Sequence, residues 1–67
     1  MDLHNIFKNL LKWDNSVYDI IISDLKLYCG YHASNFSDAV KQTLNEMMRS
    51  KEIQYFTIEA GKLVITK

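Results

Sequence analysis

At Ile53 the spacing of apolar residues changes its period, and that switch constrains the fold more than any other feature of the chain. Before it, apolar residues recur at the spacing of a helix with one buried face. After it they alternate through Ile53-Gln54-Tyr55-Phe56-Thr57-Ile58, pause at Glu59-Ala60-Gly61, and continue as Lys62-Leu63-Val64-Ile65-Thr66. Alternation on both sides of a glycine predicts a β-hairpin over about 53–66, with Gly61 supplying the positive φ of the turn. Leu63 and Ile65 then share one face, and Lys62, Val64 and Thr66 the other. A chain that begins helical and ends as a hairpin is α+β.

The helical part divides at two groups of turn-forming residues. Leu3, Ile6, Phe7, Leu10 and Leu11 predict a first helix over about 3–13, with Asp2 able to cap its N–H groups. Asp14-Asn15-Ser16 breaks it, and Ser16 with Asp19 has the spacing of a capping box, so a second helix is predicted over about 17–29. Its apolar stripe is Val17, Ile21, Leu25 and Tyr28, with Ile20 and Ile22 beside it and Gly30 as the stop. The β-branched run Ile20-Ile21-Ile22 also suits a short buried strand, and the helical stripe is preferred here. A third helix over about 35–50 is capped by Ser34 or Asn35, the latter with Asp38 at capping-box spacing. It buries Phe36, Val40, Leu44, Met47 and Met48.

Size and charge set the class of function. With 67 residues the chain has room for one domain, 1–67, around one small core. The 48% apolar and 24% charged composition is that of a chain that folds rather than one that stays disordered. A lone cysteine cannot close an internal disulfide, which points to a reducing compartment and hence to the cytoplasm. The start Met1-Asp2-Leu3-His4 lacks the basic and apolar regions of a signal peptide, and no apolar run approaches the roughly 18 residues of a membrane span. Eight basic residues balance eight acidic ones, so no long-range pull toward polyanions or anionic lipid operates.

From Val40 to Ile65 the chain resembles the winged helix-turn-helix superfamily. Members carry an apolar residue, a second four positions later, a third three further on, then a turn glycine and an isoleucine opening the wing. Here those positions read Val40, Leu44, Met47, Lys51 and Ile53. The departure is Lys51, where a glycine would relieve a left-handed turn. The resemblance implies a fold of three helices with a C-terminal hairpin wing, although no first strand is evident between the first two helices. It also implies that the third helix enters a DNA groove while the wing touches the backbone. On that implication Asn35, Ser37, Lys41, Gln42, Asn45 and Arg49 face DNA, joined by Lys62 on the wing and by Lys51 and Lys67.

Read on their own chemistry, Gln42 and Asn45 can pair bidentately with adenine, and Lys41 or Arg49 can meet phosphate or guanine. Residues 34–67 carry five basic against four acidic side chains, and residues 1–33 three against four, a faint bias toward the third-helix half. No catalytic pair or triad has a recognisable spacing, so no enzymatic activity and no cofactor are expected. Cys29 and His32 have the spacing of half a zinc site, but a structural zinc needs four ligands, and a packed thiol beside a turn histidine is the reading preferred. Gly30 and Gly61 stand singly and form no phosphate loop.

A second reading turns the same fold to protein contact. The aromatic residues are more than so small a core can hide, and Trp13, Tyr31 and Tyr55 are the expected partner-binding residues. Tyr55 and Phe56 on the wing could also stack bases of single-stranded DNA. The expectation is therefore a small non-enzymatic protein of DNA transactions, binding duplex or single-stranded DNA itself or serving a larger replication or transcription protein. The alternative is a pure interaction module, such as a phage-encoded inhibitor or a dimerising adaptor, since a neutral surface does not keep like subunits apart. A composition rich in Asn, Ile, Lys and Tyr resembles that of phage and other mobile elements of low-GC bacteria.

Overall fold

A computed structural model of the chain describes residues 3–30 and 35–67. Among them the order of elements is α1 (Leu3–Leu10), β1 (Val17–Ile21), α2 (Ile22–Cys29), α3 (Phe36–Arg49), β2 (Tyr55–Glu59) and β3 (Lys62–Thr66). The strands form one antiparallel sheet in the order β1-β3-β2, with β3 in the centre. Three helices with a C-terminal hairpin make an α+β arrangement compatible with a winged helix. No helix among the described residues is long and apolar enough to cross a membrane.

The sheet separates the chain into two faces. Tyr18, Ile65 and Phe56 form one cross-strand row, and Ile20, Leu63 and Ile58 a second. Both rows turn inward onto Phe7 and Leu11 of the first helical segment, Leu25 of α2, and Val40, Leu44 and Met47 of α3. The outer face carries the rows Val17-Thr66-Tyr55, Asp19-Val64-Thr57 and Ile21-Lys62-Glu59. The face expected for Leu63 and Ile65 is the buried one, as the alternation requires.

The second predicted helix is corrected. Its first five residues are β1, and α2 begins only at Ile22. Val17-Tyr18-Asp19-Ile20-Ile21 is short and β-branched, and β3 offers it a ladder on which Ile20 packs inward beside Leu63. Consequently Val17, Ile21 and Tyr28, expected in the core, are exposed, while Ile22, Leu25 and Cys29 are buried. The Ser16–Asp19 capping box does not start a helix. Ser16 instead accepts the Lys67 N–H at 2.9 Å, and the first N–H of α2, that of Ile22, donates to the Gly61 carbonyl at 2.9 Å. The wing turn thus caps the helix in place of a side chain.

The other boundaries differ less. Helix α1 ends at Leu10, short of the predicted 13, and the Trp13 carbonyl beyond it accepts from Tyr18 Oη at 2.6 Å and Lys67 Nζ at 2.8 Å. Helix α3 matches the prediction to within a residue, although Asn35 at its N-cap makes no side-chain capping bond. The alternative cap, Ser34, lies outside the described residues.

Lys51 takes φ 64°, the left-handed conformation anticipated for its glycine-like position. Around it the Lys51 N–H donates to Met48 O at 3.1 Å and the Glu52 N–H to Met47 O at 2.9 Å. These are the two bonds of a Schellman motif, which ordinarily places glycine where Lys51 stands. Replacing Lys51 by glycine is expected to stabilise the fold by about 1 kcal/mol. In a chain of this size that is a rise of about 4–8 °C in the thermal midpoint, read by circular dichroism melts. The wing turn carries the same strain at Ala60, φ 51°, followed by Gly61 at 77°. Two successive positive φ values define a type I′ hairpin turn.

Candidate nucleic-acid interface

Helix α3 buries Phe36, Val40, Leu44 and Met47, and this fixes what it shows to solvent. Asp38, Gln42, Asn45 and Arg49 follow one another at steps of four, three and four residues, so they lie along one exposed stripe. Gln42, Asn45, Glu46 and Arg49 share a shallow cleft. Ser37 and Lys41, four apart, lie together on one flank of that stripe, and Asn35 is exposed just ahead of the helix. Asp38 and Glu46 offset Lys41 and Arg49, so the helix face by itself carries no basic footprint.

A groove beside the N-terminus of α3 supplies a cation that the sequence did not assign to the interface. It is lined by Ile21, Ile22, Ser23 and Lys26 from the β1–α2 segment, by Phe36 and Ser37 from α3, and by Ala60 and Gly61 of the wing turn. Lys26 is half-buried in this wall. Its participation depends on α2 packing beside the wing turn, a tertiary fact with no local signature. Lys62 stands elsewhere. It belongs to the outer sheet face, with its Nζ 3.9 Å from Asp19 Oδ1 and Glu59 directly across the strand. The sheet therefore lies between Lys62 and the stripe of α3.

The aromatic candidates fall at one end of the sheet. Trp13, 63% exposed, precedes β1, and Tyr55, 57% exposed, opens β2 in the same outer row as Val17 and Thr66. Lys12 Nζ lies 5.7 Å from the Trp13 ring centroid, within cation–π range. Tyr31 and His32 lie outside the described residues. Phe56 packs against the core from the inner face, which removes it from the base-stacking pair expected with Tyr55. Leu27 and Tyr28 on α2 are exposed; the helical stripe had placed Tyr28 in the core and had not marked Leu27.

Titratable groups gather at the C-terminus of α3. Glu52 accepts from Ser50 Oγ at 2.6 Å and from His4 Nε2 at 3.0 Å, joining α1 to the turn after α3. The carboxylate stands between hydroxyl and imidazole, an order that ties elements together rather than activating the serine. The Ser50 hydroxyl first, then His4, holds the Glu52 carboxyl below the ordinary glutamate value. A lowered folded pKa means this tie is complete above the ordinary glutamate range and is lost as pH falls through the lowered value. Glu52→Gln is therefore expected to flatten that part of the acid side of the stability profile, measured by thermal melts on both proteins. Cys29 is buried, and burial pushes its thiol pKa up, away from thiolate chemistry.

Comparison with known family models, curated proteins and solved structures gives no match to this chain.

Proposed function

We propose that this chain is a small non-enzymatic winged helix-turn-helix protein of DNA transactions that contacts duplex DNA through α3 and the groove beside it. The observation that carries the reading is the exposed stripe of Gln42, Asn45 and Arg49, flanked by Ser37 and Lys41, with Ser37 also lining the groove that holds Ser23, Lys26 and the wing turn. Amide side chains can read adenine edges, and the surrounding cations and hydroxyls hold phosphates. The lone buried cysteine suits a reducing cytoplasm, and the composition rich in Asn, Ile, Lys and Tyr suits a phage or other mobile element. Fluorescence anisotropy with labelled duplex and single-stranded DNA at low salt tests the reading. Binding that weakens steeply with added salt is expected. Micromolar protein that moves neither probe sinks direct binding.

A second use of the fold has its own support. Val17 and Tyr55 expose apolar surface on the side of the sheet away from the α3 stripe, and Trp13 is exposed just before β1, so a larger replication or transcription protein could be held there while DNA is bound. In that role the chain is an accessory subunit. Replacing Trp13 and Tyr55 by alanine should then abolish nuclease-resistant co-purification from the host, and Lys41→Ala should leave it intact.

A further inference from the structure

Strand β3 has a neighbour on each side, whereas β1 has one. The bonds from Lys67 N–H to Ser16 O and from Ile22 N–H to Gly61 O set the phase of the β1–β3 ladder. In that phase the even-numbered residues of β1 aim their backbone groups at β3, and Val17, Asp19 and Ile21 aim theirs outward. Among the described residues no other backbone group bonds to that side. Ile21, as the N-cap of α2, gives its carbonyl to the helix. What remains is a row made of the N–H and C=O of Val17, the N–H and C=O of Asp19, and the N–H of Ile21. Donors and acceptors alternating at this spacing fit one class of ligand, the backbone of another extended strand.

The side chains define that strand further. Val17 and Ile21, 52% and 48% exposed, flank Asp19 on the outer face. An antiparallel newcomer sets its own residues directly opposite, where β-branched residues match Val17 and Ile21 and a cation matches Asp19. Lys62 approaches Asp19 from the β3 side at 3.9 Å, at the limit of an ion pair, and leaves the outer side of the carboxylate to solvent. A second copy of this chain brings no cation. Its two edge strands, Val17–Ile21 and Tyr55–Glu59, each hold one acid and no base. On the other edge the outward backbone groups belong to Phe56 and Ile58, and the charge, Glu59, stands beside the turn rather than at the centre.

We propose that the free edge of β1 docks an extended segment of another protein, one that carries a lysine or arginine with a β-branched apolar residue two positions away on either side. The site is independent of DNA binding. The probe is the end-blocked peptide Thr-Val-Thr-Lys-Thr-Ile-Thr and a twin with glutamate in place of its lysine, titrated into the ¹⁵N-labelled protein. The amides of Val17, Asp19 and Ile21 are expected to shift and to exchange more slowly. The lysine peptide should bind about fivefold tighter than its twin. Asp19→Lys should reverse that preference, an outcome that a merely unfolded variant cannot give. The proposal is overturned if millimolar peptide leaves these amides unmoved, if both peptides bind alike, or if the shifts centre on α3 or β2. Self-association of the protein through β1 in the absence of peptide, seen by sedimentation, overturns it as well.

Discussion

Phe7→Ala is expected to remove between a third and all of the stability of the fold in water at room temperature. Phe7 is 0% exposed and belongs to the core shared by the helices and the sheet. Truncating a buried phenylalanine costs about 3–5 kcal/mol, since transfer energy is lost and the surroundings close the cavity only in part. A chain of this length holds a net stability of roughly 3–10 kcal/mol, so the substitution removes a third of it or all of it. Urea titration followed by circular dichroism reads the loss directly. Leu27→Ala is the matched control. That leucine is 81% exposed, and its truncation should stay within about 0.5 kcal/mol of the wild type. Equal losses at the two positions would contradict the core described for this fold.

The same contrast explains what could be read from the sequence. The stripe of α3 and the alternation of β3 were legible because each buried face repeats at the period of its own backbone, and Val40, Leu44, Met47, Leu63 and Ile65 are all buried. The strand β1 was not legible. Five residues are too few for periodicity to separate strand from helix, and Ser16 offered a local capping signal that pointed the wrong way. What decides between them is a partner about forty residues along the chain, since Ile20 pairs with Leu63 and Ile22 is capped by Gly61. Nothing local encodes that partnership. Lys51 shows the opposite case. The resemblance to the winged-helix pattern, in which a turn glycine is usual at this position, implied a left-handed conformation although the lysine side chain argued otherwise, and the bonds to Met47 and Met48 fix the backbone there.

The candidate site was legible in the same uneven way. The residues of the α3 stripe follow from the buried face, because whatever is not turned to the core is turned to solvent. Lys26 required the tertiary structure, whereas the alternation of β3 already set Lys62 on the face opposite Leu63 and Ile65. One cation joins the α3 side through the packing of α2 beside the wing turn, and the other is carried to the opposite face by the two-residue pleat of β3.

That exchange of cations yields the last prediction, which separates reading from anchoring on the proposed DNA surface. Asn45→Ala should lower discrimination among duplex sequences by about 1–3 kcal/mol while leaving the salt dependence nearly unchanged, because an amide reads a base edge and releases no counterion. Arg49→Ala, Lys41→Ala and Lys26→Ala should act differently. Where each cation holds a phosphate, its removal weakens binding across all sequences and lowers the slope of log affinity against log salt by about 1. Lys62→Ala should change neither quantity, since the Lys62 ammonium lies beside Asp19 on the outer sheet face. Anisotropy titrations over a range of salt, with matched and scrambled duplexes, measure both quantities for all five variants. If Lys62→Ala lowers the slope while Lys26→Ala does not, the contact surface follows the wing's outer face rather than the groove beside α3, and the proposed docking of the duplex is wrong.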